Sequence, residues 1–308
     1  MKKHVVHVQT YAGTPRSVRQ KKRGKKVIVA FSVGFLALCL VIAGIYTSLS
    51  LTFTKTYQPV ARQTTVQPSN FADKKPHAVL FASVSGNSLE NVAVLVFNPS
   101  QKTTTFVKLD RSTYLPEADK SISEVYASGG MAKLMDAMQN FLTIPLAYYA
   151  RFDLAGLKTL VTTTGGVSLY NGSPFIAGGY RFDKGLVAIQ NETQVLAYIS
   201  KASSPKEAAD THVVREQNVL MALLERLTPK RLALHFFPIL TMANEHVTHN
   251  LTLQDAENFG LNYQGSFKEK KEASLFTAPR YENGVVVQEA NKTDLKNFRA
   301  MIQNALKP

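Results

Sequence analysis

The longest uninterrupted apolar stretch of this 308-residue chain runs from Val27 to Thr54 and contains no charged side chain. About 20 such residues, each rising 1.5 Å, are enough for a helix to cross a bilayer. The run is longer than the apolar core of a cleaved signal peptide, and no small-residue cleavage motif closes it. The pattern therefore predicts one transmembrane helix over residues 27–54.

Beyond this span the pattern changes twice. Residues 55–77 are rich in Gln, Thr, Pro and Ser, show neither helical nor strand periodicity, and are predicted to be a linker. Ala78–Val84 and Val92–Phe97 are nearly continuous apolar runs, typical of central strands buried on both faces. Thr103–Leu109 alternates and follows an Asn-Pro-Ser turn, which predicts a hairpin with the preceding strand.

Helical spacing appears after Gly129-Gly130 and continues to Pro145, and a strongly amphipathic helix is predicted over Val213–Leu227. Strand character returns between these segments, at Tyr148–Phe152 for example. Alternating strands and helices predict an α/β fold, with a mixed central sheet and helices on both faces.

The organisation predicted for the outer part of the chain has two pieces. Residues 78–228 form the main domain. Residues 229–308, where the signals weaken, form a C-terminal extension that packs on it.

The positive charge is concentrated at the N-terminus. Of a net charge of +14, nine Lys or Arg residues lie in residues 1–26, which contain no acid. Basic residues are concentrated on this side of the span, so the positive-inside rule predicts a cytoplasmic tail over 1–26 and an extracellular C-terminal domain at the cell membrane. The tail is too short for a folded DNA-binding domain. Because anionic headgroups account for its charge, we expect a membrane partner and no nucleic acid.

The single cysteine, Cys39, lies inside the predicted span. The outer domain therefore contains no cysteine, which rules out disulfides, cysteine nucleophiles and thiolate metal sites there. No Walker A, nucleophile-elbow or dinucleotide-binding glycine motif is present in a suitable context. His246 and His249, beside Glu245, have the spacing of a metal pair but lack a third ligand, and such histidines are more often surface residues.

The order of short segments between residues 90 and 224 is more informative. The segments are Val92–Pro99, Leu109–Tyr114, Val125–Gly130, Ile144-Pro145, Tyr148-Tyr149, Phe152–Leu157, Leu160-Val161, Gly165–Val167, Gln194–Tyr198 and Arg215–Leu220. In order and spacing this series resembles the LytR-CpsA-Psr family of cell-wall assembly proteins. The resemblance implies transfer of a wall glycopolymer from a polyprenyl-pyrophosphate carrier to peptidoglycan, outside the membrane.

Such a reaction needs guanidinium groups for the diphosphate, carboxylates for Mg²⁺ and an apolar slot for the lipid. Where the family usually reads Arg-Ser-Asp-Thr, this chain has Ser88 to Asn91, so the resemblance implies Glu90 as the metal position. Where the family reads Pro-Arg-Asp-Thr, the chain keeps Arg111 but has Ser112 in place of the acid. Asp110 does not replace that acid if the stretch is extended, because neighbouring side chains then face opposite ways.

The remaining implied contacts lie further along the chain. Two family arginines near Tyr198 are missing and only Lys201 is nearby, while the last arginine pair has become His212 and Arg215. The implied catalytic residues are Arg111 and Arg215, with Lys201 and His212 as further diphosphate contacts. Neither Lys nor neutral His reproduces the bidentate fork of an arginine.

Each of these residues has a simpler interpretation that the sequence leaves open. Arg111 could pair with Glu117 or Glu124, Arg215 could pair with Glu192, and Glu90 could be a surface carboxylate. Apolar side chains at helical spacing could line the lipid slot, although such stripes are more often ordinary core. The candidates are Met131, Leu134, Met138 and Phe141 on one predicted helix and Val219 on another.

Loss of one donor aimed at a charged transition state commonly costs about 2.7 to 4 kcal/mol. The sequence therefore predicts an envelope-assembly protein with weakened or lost transferase activity, with Mg²⁺ as its possible cofactor. The alternative is a non-enzymatic protein that binds lipid carrier or polymer and regulates envelope biogenesis.

Overall fold

The computed structural model describes residues 39–63, 70–200, 215–216, 218–219, 222–223, 226, 234–282 and 284–308. Within these residues, one helix, α1 (Cys39–Thr56), is long and apolar enough to cross a membrane. It includes the last part of the predicted span, whose residues 27–38 lie outside the described part of the chain, as does the basic tail. The chain divides into two compact units, residues 1–49 and 50–308.

The second unit is built on a six-stranded sheet. The first elements of this unit are β1 (His77–Ser85), β2 (Ser88–Asn98), β3 (Thr103–Leu109), β4 (Tyr114–Leu115), β5 (Lys120–Ser121), α2 (Ile122–Leu142), β6 (Tyr148–Asp153), α3 (Leu154–Thr163), β7 (Val167–Asn171), β8 (Phe175–Ala177), β9 (Tyr180–Phe182), β10 (Gly185–Ile189) and α4 (Glu192–Ile199). They are followed by α5 (Phe236–His246), β11 (Val247–His249), α6 (Leu253–Asn262), β12 (Glu269–Ser274), β13 (Ala278–Glu282), β14 (Val285–Glu289) and α7 (Lys292–Ala305).

The strand order of the large sheet is β11-β6-β1-β2-β3-β12. The β1–β2, β2–β3 and β6–β11 pairs are antiparallel, whereas β1–β6 and β3–β12 are parallel. The sheet is therefore mixed, as predicted. Both of its edge strands come from residues beyond 228, so the predicted C-terminal extension contributes strands to the same sheet. Its helices also pack on the sheet, through Tyr263 on one face and Phe298 and Ile302 on the other.

The sheet is covered on both faces, as the apolar runs predict. Alternate residues such as Leu80 and Val94 pack with α2 in one core, while Val79 and Leu95 pack on the other side with Phe71 and Tyr263. A third core joins α3, β7, β10 and α4 beside the sheet. The α/β fold with helices on both faces is confirmed.

Helix α2 begins earlier than the sequence predicts. Ser121 caps it by accepting a hydrogen bond from the Glu124 backbone N–H, and the Glu124 carboxylate accepts one from the Ser121 N–H. Gly129 and Gly130 interrupt the helix with non-helical dihedrals, including φ +60° at Gly130. The glycine pair is thus a break between two helical pieces, and sequence periodicity detected only the second piece.

The stretch predicted as a linker is attached to the domain at several points. The Arg62 guanidinium bonds Asp136 Oδ1 at 2.8 Å and Gln139 Oε1 at 3.1 Å, and it also bonds the Leu146 carbonyl. Tyr149 donates its hydroxyl to the Gln58 carbonyl at 2.7 Å. These bonds hold residues 58–62 against α2 and β6.

Candidate functional site

A β-bulge shapes the end of the β1–β2 hairpin. Ser83 pairs with Asn91 and Val84 pairs with Leu89, so Glu90 is an extra residue without a partner on β1. A bulge of this kind interrupts the alternation of side chains and redirects one of them. Leu89 packs in the core beneath the sheet, while Asn91 lies on the other face with Ser83.

Arg111 and Glu90 meet at this bulge. Arg111 follows the end of β3, and its Nη1 lies 2.9 Å from Glu90 Oε2 and 2.9 Å from the Leu89 carbonyl oxygen. Both side chains keep about a quarter to a third of their surface exposed, at 31% and 25%. Arg111 therefore pairs with the residue predicted to hold the metal, and not with Glu117 or Glu124, the partners of the simpler interpretation.

The Asp110 carboxylate stabilises the turn in which it lies. Its Oδ1 accepts hydrogen bonds from the Ser112 N–H at 2.7 Å and from the Ser112 hydroxyl at 2.6 Å. Asp side chains close loops in this way when a strand ends. The Asp110 carboxylate is thus engaged locally, in line with the expectation that it does not replace the missing acid.

Glu216 is a site residue that the sequence analysis missed. It is buried, and it accepts a hydrogen bond from the Ser83 hydroxyl. Burial raises the pKa of its carboxyl above the usual range, and nearby Glu90 raises it further, while Ser83, Asn91 and Arg111 oppose the rise. Ser83 pairs across the hairpin with Asn91, the neighbour of Glu90, so its bond to Glu216 places Glu216 near the Glu90–Arg111 ion pair. The available signal was an acid directly beside Arg215 on a helix predicted to be amphipathic.

Arg215 faces different partners. Its guanidinium carbon lies 4.1 Å from the centre of the Phe175 ring, and its Nη2 lies 2.5 Å from the Ser200 carbonyl oxygen. The side chain is buried. The structure therefore brings Glu90, Arg111 and Glu216 together and directs the Arg215 guanidinium toward β8 and the end of α4. Lys201 and His212 lie outside the described residues.

An apolar cavity of about 330 Å³ lies on the face of the sheet opposite α2. Half of its lining residues are phenylalanines. These are Phe53, Phe71, Phe81, Phe97, Phe106, Phe259 and Phe267. Phe81 also lines a much smaller hollow, together with Ser83, Asn91 and Glu216. The apolar cavity and the polar cluster therefore share a wall.

The residues predicted to line a lipid slot pack in the hydrophobic cores of the protein. Met131, Leu134, Met138 and Phe141 pack in the core between α2 and the sheet, and Val219 belongs to the core beside the sheet. None of the five lines the 330 Å³ cavity. Their helical stripe buries a core face, and the room for an apolar ligand lies on the opposite side of the sheet.

The two spaced histidines do not share a site. His246 Nδ1 lies 3.0 Å from an Asp153 carboxylate oxygen. His249 is buried and is bonded to Thr56 and to the Leu251 backbone. In the part of the chain that the structure describes, no three His, Cys, Asp or Glu side chains are grouped to hold a metal ion. The structure therefore does not support the metal-pair hypothesis.

Comparison with known proteins gives consistent results. The model of the LytR_cpsA_psr family matches residues 45–304. A protein of Enterococcus faecalis named polyisoprenyl-teichoic acid–peptidoglycan teichoic acid transferase TagU is 27% identical over 301 residues, which cover 92% of this chain and 98% of that protein. The crystal structure of Bacillus subtilis TagV matches with a TM-score of 0.63 and 23% identity, over 76% of this chain and 99% of TagV. A structure described as TagT bound to LIIa-WTA matches with a TM-score of 0.63 and 18% identity, over 80% and 96% of the two chains.

Proposed function

Because the chain belongs to the LytR-CpsA-Psr family, we propose that it is a membrane-anchored, extracytoplasmic glycopolymer phosphotransferase of cell-envelope assembly with slow turnover. Its donor is a glycopolymer linked to polyprenyl pyrophosphate, and its acceptor is a hydroxyl of peptidoglycan. The name of the enterococcal relative favours an anionic polymer of the teichoic acid type. The apolar helix α1 supports the anchor, and the positive-inside rule supports the outward orientation of the domain.

The observation that carries this proposal is the shared wall at Phe81. A polyprenyl chain needs a dry, apolar cavity, while its pyrophosphate needs positive charge and hydrogen-bond donors at the mouth of that cavity. The phenylalanine-lined cavity meets the first requirement. The small hollow beyond Phe81 is lined by Glu216 and by Asn91, which directly follows Glu90, the ion-pair partner of Arg111.

In the proposed reaction the acceptor hydroxyl attacks the phosphorus that carries the polymer. A new P–O bond to peptidoglycan forms, the P–O–P bond breaks, polyprenyl phosphate leaves, and the proton of the acceptor hydroxyl is released to solvent. Arg111 stabilises negative charge on the diphosphate, and Glu90 holds Arg111 in place through the 2.9 Å ion pair. A magnesium ion, if bound, would neutralise the leaving phosphate.

Slow turnover is proposed because the described part of the site is poor in guanidinium groups. The Arg111 guanidinium is already paired with the Glu90 carboxylate, and the Arg215 guanidinium points toward the Phe175 ring and the Ser200 carbonyl. The same observation favours a second candidate function, a non-enzymatic protein that binds lipid carrier or polymer and regulates envelope biogenesis.

One experiment separates the two functions. The full-length chain in lipid nanodiscs is supplied with a polyprenyl-pyrophosphate-linked polymer and peptidoglycan, and both binding and polymer transfer are measured. Transfer that Arg111→Ala abolishes supports the phosphotransferase. Tight binding without transfer supports the regulator, and the absence of both contradicts the two proposals together.

A further inference from the structure

A further cavity lies on the side of the sheet that α2 covers. It has a volume of about 240 Å³ and is bounded by the turn between β4 and β5, the C-terminal end of α2 and the middle of α7. Among the described residues, it shares none with the two hollows at the candidate site. Ligand pockets usually measure about 300–1,000 Å³, so this smaller cavity has room for a molecule the size of one or two amino-acid residues.

The floor of this cavity is apolar. Its apolar residues come from β4, the turn after it, α2 and α7, and all of them belong to the core beneath α2 or pack against it. They are Leu115, Ala118, Ala137, Phe141 and Leu295. Such a floor favours a ligand that has an apolar side chain to bury.

Arg299 on α7 brings a guanidinium group to this cavity. Its Nε donates a hydrogen bond to the Phe141 carbonyl oxygen at 2.7 Å, and its guanidinium carbon lies 5.8 Å from the centre of the Phe141 ring. Among the residues that the structure describes, no carboxylate pairs with Arg299, and its terminal nitrogens donate no hydrogen bond to the protein. A guanidinium that is held through Nε keeps its two terminal N–H groups for a carboxylate, which they can bind in a bidentate manner.

Glu117 brings the opposite charge to the same cavity. It is exposed on the turn between β4 and β5 and lines the cavity. Arg111, a partner that the sequence left open for Glu117, pairs with Glu90 instead. Within the described chain, the cavity is therefore bordered by one cation and one anion that form no ion pair with each other or with another residue.

We infer that this cavity binds a small zwitterion with an apolar side chain, of the class of an apolar dipeptide with free ends. The ligand carboxylate accepts hydrogen bonds from Arg299, the ligand ammonium group pairs with Glu117, and the apolar side chain packs on Leu115 and Leu295. The Asn140 amide, which is exposed and also lines the cavity, is placed to bond the peptide group. The inference does not rest on the proposed function, because the cavity is separate from the candidate site.

The test compares three ligands of nearly the same size. Alanyl-leucine, its N-acetyl form and its C-terminal amide are titrated into the full-length chain in lipid nanodiscs, and saturation-transfer-difference NMR gives each dissociation constant. We expect alanyl-leucine to bind. Each modified form should bind about tenfold more weakly, because it lacks one of the two charges and a charge-assisted hydrogen bond has about that effect.

Two variants assign the two charges of the ligand. Arg299→Gln should weaken alanyl-leucine binding about tenfold and remove the difference between alanyl-leucine and its amide. Glu117→Gln should cause the same loss and remove the difference between alanyl-leucine and its N-acetyl form. Arg181→Gln, which removes a 73% exposed arginine outside this cavity, is the control and should leave all three affinities unchanged.

The exposed position of Glu117 keeps the test decisive if Arg299→Gln fails a circular-dichroism check for folding. Wild-type protein that binds no alanyl-leucine overturns the inference, as do equal affinities of the wild type for all three ligands. A Glu117→Gln protein, or a folded Arg299→Gln protein, that binds alanyl-leucine as well as wild type does also overturns it.

Discussion

Arg111 and Glu90 form an ion pair across the ends of two neighbouring strands, with Arg111 Nη1 2.9 Å from Glu90 Oε2. A second bond of 2.9 Å from the same nitrogen to the Leu89 carbonyl fixes the guanidinium at the bulge. The pair is only partly exposed, and Arg111 therefore reaches the candidate site in one defined orientation. Because its position is fixed in advance, little side-chain entropy is lost when a phosphate binds.

The first prediction concerns Arg111. Arg111→Ala should weaken binding of a prenyl pyrophosphate by about 10- to 100-fold, because a charge-assisted hydrogen bond contributes about 1.5–3 kcal/mol. Arg111→Lys should fall between Ala and wild type, since lysine keeps the charge but loses the planar fork. Affinity is measured by isothermal titration calorimetry of the full-length chain with geranylgeranyl pyrophosphate.

Arg181→Ala provides the matched control for this substitution. Arg181 pairs with Asp183 on the surface, with 73% and 69% of the two side chains exposed. Its removal should leave prenyl-pyrophosphate affinity unchanged. Equal losses in the Arg111 and Arg181 variants would mean that the affinity reflects overall positive charge rather than this site.

The second prediction concerns the apolar cavity. Ala256 on α6 lines it, so Ala256→Phe should fill part of the space that a prenyl chain would use. We expect about tenfold weaker binding of geranylgeranyl pyrophosphate, since this loss of free energy is roughly that of burying two methylene groups. Binding of inorganic pyrophosphate should be unchanged. Gln254→Phe, at an exposed position of the same helix, should affect neither ligand. A loss of inorganic pyrophosphate binding in Ala256→Phe would point to misfolding instead.

The third prediction concerns the segment after α1. Asp136 accepts bonds from the Arg62 guanidinium at 2.8 Å and from the Gln63 N–H at 3.0 Å, and its side chain is 16% exposed. Asp136→Ala removes the acceptor of the Arg62 Nε–H and of the Gln63 N–H and leaves the largely buried guanidinium without its counter-charge, so it should lower the free energy of unfolding by about 2–3 kcal/mol. Urea unfolding in a mild detergent measures this. Asp183→Ala, which breaks the exposed pair with Arg181, should change it by less than about 0.5 kcal/mol.

The central sheet could be predicted from sequence because its physical signal is local. Ala78–Val84 and Val92–Phe97 are apolar at nearly every position, and only a strand with both faces covered buries them all. The docking of Arg62 on Asp136 could not be predicted in the same way. A single arginine in a stretch rich in Gln, Thr and Pro carries no periodicity, and its partner lies 74 positions further along the chain.

The candidate site, like the fold, could be predicted only in part from the sequence. Family resemblance identified Glu90 and Arg111, and the structure puts these two in contact. The bulge at Glu90 follows from strand pairing, and the bond of Glu216 to Ser83 joins residues 133 positions apart, so neither follows from a local pattern of residue types. The residues predicted to line a lipid slot pack in the hydrophobic cores, because helical spacing identifies a buried side without saying what is packed against it.

His249 ties the end of α1 to the edge of the sheet. Its Nδ1 accepts a hydrogen bond from the Leu251 N–H at 3.2 Å, so the proton of the neutral ring is on Nε2 and is donated to Thr56 Oγ1 at 2.8 Å. The Thr56 hydroxyl in turn donates to the Thr52 carbonyl at 2.8 Å. A charged ring would carry a second proton on Nδ1, where it would displace the Leu251 bond.

The fourth prediction follows from this buried neutral ring. Burial lowers the pKa of His249 below its ordinary value of 6.5, so between the lowered pKa and 6.5 the unfolded chain binds more protons than the folded chain. The stability from His249 is therefore present above about pH 6.5 and is lost as the pH falls toward the lowered pKa. We expect the urea midpoint of the wild type to drop between pH 7.5 and 5.5, and to drop less in His249→Gln, which cannot titrate. Equal drops in both proteins would show that the pH sensitivity comes from other groups.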